Sequence, residues 1–152
     1  CPDACRFDGV GAIECVDKDT IYRESDLVSL HVPLTAQTKN MVRREHLLQM
    51  KPDAMIVNTA RGGIIHEDDL AEVLNLGHLA GAAVDVFCEE PYQGRLSSVE
   101  RCLLTSHMGS MSVDCRTRME IEATEEAIRF LAGKPLEGLV PEAEYQVQRE
   151  GL

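Results

Sequence analysis

Three residues in separate stretches of this sequence have chemistries that fit together: Arg61, Glu90 and His107. Arginine offers a planar, permanently charged fork that grips a carboxylate through two parallel hydrogen bonds. Histidine titrates near neutrality and gives or takes a proton. A carboxylate beside it holds the ring in one tautomer and stabilises its cation. Together they suit the interconversion of a carbonyl and an alcohol next to a carboxylate. Arg61 would grip the acid group and polarise the neighbouring C=O. His107 would protonate the oxygen as hydride reaches the carbon, and Glu90 would orient His107. Gly62 and Gly63 would let the backbone turn and approach a ligand closely.

Taken singly, such residues are most often solvated charges or satisfied polar groups. What raises their interest is the set of elements that must carry them. Residues 26–32 form a β-rich run stopped by Pro33. A helix is expected over 43–50, ended by Lys51-Pro52-Asp53, and a strand over 54–60. Glu67-Asp68-Asp69 opens a helix with acids at its positive end, and Gly77 suits its C-terminal stop. Residues 79–86 are continuously apolar, as in a strand buried on both faces, and 102–105 form a short further strand. A long helix is expected from Ser112 through Met119, Ala123, Ala127 and Leu131 to Gly133.

Strands alternating with helices or loops predict an α/β fold with a parallel sheet covered by helices. In such sheets ligands bind beyond the carboxyl ends of the strands. His31-Val32-Pro33 follow the first strand, and Thr59, Ala60 and Arg61 the second. Asp85 and Glu90 follow the third, and His107, Met108 and Gly109 the fourth. Arginine, acid and histidine therefore all arrive at one edge of the sheet.

Composition sets the outer bounds. The 152 residues suit one domain able to bury roughly two-thirds of its unfolded surface. The net charge of −11 repels phosphate, so neither nucleic acid nor an anionic membrane is an expected partner. No apolar run is long enough to cross a bilayer, and no basic-then-apolar leader opens the sequence. Six cysteines show neither a C-x-x-C pair nor zinc-finger spacing with histidine. They read as reduced thiols of a cytoplasmic protein, Cys88 being the one nearest the proposed chemistry.

Four blocks resemble consecutive blocks of the D-isomer-specific 2-hydroxyacid dehydrogenases: SDLVSLHVPLTAQTKNMV, LLQMKPDAMIVNTARGGIIHEDDLAEVL, LAGAAVDVFCEEP and CLLTSHMGS. Their order and spacing match over about residues 25–133. The resemblance implies a partial Rossmann-type doubly wound parallel sheet over 1–140 that lacks its first strands. It ends in a long interdomain-type helix, about 112–132, before a tail over 141–152. The implied cofactor is NAD, with NADP as the alternative, and the implied substrate a small 2-hydroxy or 2-keto acid. The family's catalytic arginine, glutamate and histidine fall on Arg61, Glu90 and His107. Its cofactor contacts fall on Thr59, Ala60 and Arg61, on Asp85 near the nicotinamide carboxamide, and on His107, Met108, Gly109 and Ser110. His31, Val32 and Pro33 fall on the adenosine side. A homodimer is expected, and a 3-phosphoglycerate dehydrogenase-like member is favoured.

Two positions depart from the family pattern: Ser106 replaces the usual proline before the histidine, and His66 stands where an acid is common. The family's G-x-G-x-x-G, which sets a helix N-terminus under the pyrophosphate, is expected before residue 1, with the ribose-holding acid. Gly9-Val10-Gly11 is a decoy, because no apolar strand leads into it and a strand-like run over 12–16 follows. The competing expectation is a truncated, catalytically inactive fragment used as a binding or dimerisation module.

Overall fold

The computed structural model describes residues 14–140 and Glu142. The decoy at Gly9-Val10-Gly11, the first two cysteines and nearly all of the tail lie outside them. Four parallel strands form one sheet in the order β1 (Leu27–Leu30), β2 (Met55–Asn58), β3 (Gly81–Val84) and β4 (Cys102–Leu104). The helices are α1 (Lys18–Glu24), α2 (Arg44–Leu47), α3 (Glu67–Asn75) and α4 (Val113–Leu131), with a 3-10 turn over Arg95–Ser98.

Alternation along the strands decides the core. Val28, Leu30, Ile56, Asn58, Ala82 and Val84 point to one face and are buried. Leu47 of α2, and Leu70, Val73 and Leu74 of α3, belong to the same buried cluster. Each such side chain contributes about 1.5–3 kcal/mol on burial. The opposite face was expected to be covered too. Among the described residues it is not: Leu27, Met55 and Leu103 are exposed.

The strands are shorter than their apolar runs because the chain leaves the ladder early to build loops. At the end of β2 the Asn58 side chain takes over, accepting from Ala60 N–H at 3.1 Å and donating to the Arg61 carbonyl at 2.9 Å. α2 is four residues long rather than eight, its continuation being a series of turns. α1 was not foreseen. Asp17 caps it by accepting from Thr20 N–H at 2.8 Å, and Glu14–Val16 before it carry no strand.

α3 ends as expected, Gly77 adopting φ 74° just beyond it. α4 also keeps its expected limits, Ser112 capping the Cys115 N–H and Gly133 adopting φ 65°. It buries no residue among those described.

Candidate functional site

The carboxyl ends of the four strands carry the candidate residues to one edge of the sheet, as the topology requires. There Glu90 and His107 meet. Glu90 Oε2 lies 3.0 Å from His107 Nδ1. Glu90 Oε1 accepts from the Phe87 N–H at 3.1 Å, which fixes the carboxylate on its loop. The His107 ring and the Phe87 N–H together hold the Glu90 carboxyl below its ordinary range, so it is ionised at neutrality. With Nδ1 engaged, Nε2 is the nitrogen left for proton exchange. An open cleft of about 410 Å³ adjoins the pair, lined by Phe87, Tyr92, Ser97, Leu104 and Ser106 among others.

Asp85 organises the turn that presents His107. Its N–H donates to Asn58 O at 3.0 Å, and its carbonyl accepts from His107 N–H at 2.9 Å. Its carboxylate accepts from the Met108 N–H at 2.8 Å and from the Thr105 hydroxyl. Burial pushes the Asp85 carboxyl up, but Thr105, Met108 and His107 outweigh burial and hold it below the usual range. His107 takes φ 53°, a left-handed conformation that is uncommon for a non-glycine residue.

Arg61 lies one loop away, at the end of β2. Its side chain is exposed, and Nη1 donates to the Ala60 carbonyl at 2.6 Å. None of its described hydrogen bonds joins it to Glu90 or His107, so the dyad is assembled while the arginine is folded back on its own loop.

Of the glycines after Arg61, Gly62 has a packing role beyond the turn expected of the pair. A Cβ at Gly62 would overlap the Phe87 carbonyl. The Arg61 loop and the Glu90 loop therefore approach each other closely at Gly62. Gly63 supplies a turn at φ 77°.

The remaining expected contacts line the same edge. Thr59, Met108 and Gly109 are exposed, and Ala60 and Ser110 half-buried. At the end of β1, His31 Nε2 lies 2.8 Å from the Ser29 hydroxyl, and the Pro33 carbonyl accepts from the Thr38 hydroxyl at 2.6 Å. A cavity of about 390 Å³ opens beside them, lined by Tyr22, Leu30, His31, Val32, Thr38 and Met41 among others. Cys88 is exposed, but burial of its sulfur and the nearby Glu67 push its thiol up, so little thiolate forms at neutrality.

The family model described as "D-isomer specific 2-hydroxyacid dehydrogenase, NAD binding domain" matches residues 5–109. The chain belongs to this family. Among its D-2-hydroxyacid dehydrogenase relatives is a D-3-phosphoglycerate dehydrogenase of Synechocystis, 35% identical over 89% of this chain and 24% of that protein. Another is a hydroxypyruvate reductase of Thermotoga maritima, 40% identical over 78% of this chain and 40% of that protein. The crystal structure of the TT0316 protein of Thermus thermophilus superposes with a TM-score of 0.79 at 36% identity, over 83% of this chain and 41% of that one. The chain thus spans well under half the length of these dehydrogenase relatives.

One departure from the family pattern has a local explanation. His66 caps α3 in place of an acid, its Nδ1 lying 3.4 Å from the Asp69 N–H and 3.0 Å from the Asp69 carboxylate. Sequence reasoning missed two residues that shape the site, Asn58 and Thr105. For Asn58 the signal was present: a polar residue two positions after Ile56 falls on the inward face of β2, where it must find partners.

Proposed function

We propose that the protein carrying this chain is an NAD-dependent oxidoreductase that interconverts a 2-keto acid and a D-2-hydroxy acid. The observation that carries this reading is the 3.0 Å Glu90–His107 pair at the carboxyl edge of a parallel sheet. Arg61 grips the substrate carboxylate once its fork turns from Ala60, and polarises the adjacent carbonyl. His107 Nε2 gives a proton to the carbonyl oxygen in reduction and recovers it in oxidation. Glu90 keeps Nδ1 protonated and the ring aimed. A bound nicotinamide supplies or accepts the hydride.

The edge residues fit such a cofactor. Thr59, Ala60 and Arg61 follow β2 and Met108, Gly109 and Ser110 follow β4, so both stretches lie at the carboxyl edge of the sheet, with Asp85 after β3 between them. The largely apolar cavity beside His31, Val32 and Pro33 suits the flat adenosine end. NAD is the cofactor favoured, with NADP as the alternative.

The specific reading is a cytoplasmic, homodimeric enzyme resembling 3-phosphoglycerate dehydrogenase. The test uses protein expressed from the whole coding sequence, a panel of 2-keto acids and NADH oxidation followed by absorbance. The panel holds glyoxylate, hydroxypyruvate, pyruvate and 3-phosphohydroxypyruvate. Fastest turnover of 3-phosphohydroxypyruvate supports the specific reading. A preference for an unphosphorylated acid replaces it with a reductase of that acid. No turnover of any panel member, with NADH or NADPH, sinks the dehydrogenase reading.

A second reading, an inactive binding or dimerisation module, draws on the exposed Ile121, Phe130 and Leu131 of α4. Self-association without cofactor binding or turnover would favour it.

A further inference from the structure

Asn58 is 2% exposed at the last position of β2, on the face that packs the core. Its neighbours in the ladder are Leu30 on one side and Val84 on the other, both apolar. A buried amide at such a place is unfavourable unless its donors and acceptor are met. Both ends of this one are. Oδ1 accepts from Ala60 N–H at 3.1 Å, and Nδ2 donates to the Arg61 carbonyl at 2.9 Å. The side chain therefore closes the loop 58–61 from beneath. The main chain of Asn58 carries the link further. Its carbonyl accepts from Asp85 N–H at 3.0 Å, and the Asp85 carbonyl accepts from His107 N–H at 2.9 Å.

Resting on the proposed role of Arg61, we propose that Asn58 is a positioning residue that sets the Arg61 backbone in register with His107. Its amide holds the origin of the long arginine side chain, leaving only the fork free to turn toward a carboxylate. Removing the donor to Arg61 leaves the arginine in the sequence but displaces its point of attachment.

The experiment compares Asn58→Asp and Asn58→Ser with the parent enzyme, alone and combined with Arg61→Ala. Each protein is expressed from the whole coding sequence and assayed with its best 2-keto acid. Asn58→Asp keeps an acceptor for Ala60 and loses the donor to Arg61; Asn58→Ser is the smaller, uncharged variant should the aspartate prevent folding. In the Arg61 background KM for the keto acid rises about tenfold, with kcat and NADH affinity changing far less. In the Arg61→Ala background the same substitution adds nothing, because the group it positions is gone. An unchanged KM, or an equal loss in both backgrounds, overturns the assignment. If Arg61→Ala itself leaves KM unchanged, or the parent reduces no keto acid, the functional reading fails instead. The positioning claim is then decided by the crystal structure of Asn58→Ser: a shifted Arg61 backbone supports it and an unmoved one overturns it.

Discussion

The backbone N–H of His107 donates to the carbonyl of Asp85 across 2.9 Å, and His107 is left-handed at φ 53°. The left-handed region costs an L-residue on the order of 1–2 kcal/mol. Here that cost is offset by the bonds that Asp85 makes to the turn, through its carbonyl to His107 and through its carboxylate to Met108 and Thr105. The imidazole reaches Glu90 because the backbone beneath it is held in this conformation.

Asp85→Ala should therefore loosen the histidine turn. Folding stability falls by ~1–3 kcal/mol, as bonded donors lose their acceptor, and turnover falls with it. Asp85→Asn isolates the charge. A carboxyl held below its usual value of 3.8 stabilises the fold fully above that value. The contribution fades as pH falls through the lower folded value. The gap in melting temperature between parent and Asp85→Asn should be full at neutrality and close only below about 3.8. A gap that closes between neutral pH and mildly acid pH would contradict this.

His107 and Glu90 divide the proton chemistry unequally. His107→Gln removes the proton carrier and should lower kcat by about 10²–10⁴, while Glu90→Gln keeps the carrier and should cost near the lower end of that range. Steady-state kinetics with saturating NADH check the order. A Glu90→Gln enzyme slower than His107→Gln would reverse the assignment.

Arg61 acts on binding. Arg61→Ala should raise KM for the 2-keto acid by about tenfold or more, since the bidentate ion pair with its carboxylate is lost. Arg61→Lys should restore charge without the fork and recover only part of the loss. NADH titration by fluorescence shows whether the cofactor site is intact in both.

Gly62→Ala tests the contact between loops. Its methyl group would meet the Phe87 carbonyl, so one loop must retreat. Overpacking of this kind costs about 1–3 kcal/mol. Thermal unfolding should show the loss, and activity should fall although no proposed catalytic side chain has changed. An alanine variant with parental stability and turnover would show that the two loops are not in register.

Much of this arrangement could be read from the residues. The apolar runs around Ile56 and Val84 placed the strands, and parallel topology then brought Arg61, Glu90 and His107 to one edge. The strand limits were less legible. The chain leaves the ladder after Asn58, whose side chain takes up the next main-chain groups, an event that hydropathy does not register. α1 escaped notice because its single cap, Asp17, sits in a polar stretch without a strong apolar period. The packing role of Gly62 is hidden for a different reason. Its crowding partner, Phe87, is 25 positions later in the chain, and only the folded sheet brings the two together.

α4 has a thermodynamic consequence. A helix of 19 residues that buries none of them is not coupled to the core through packing. Within the described chain it is supported chiefly by its caps and by pairs such as Arg116–Glu120 and Arg118–Glu122, each worth only about 0.3–0.5 kcal/mol. Its amide hydrogens should exchange as those of a fraying peptide helix, while those of β2 and β3 wait for global opening. The described chain is expected to show two stabilities, and a surface that docks on Ile121 and Ile128, which share one exposed face of α4, would merge them into one cooperative unit.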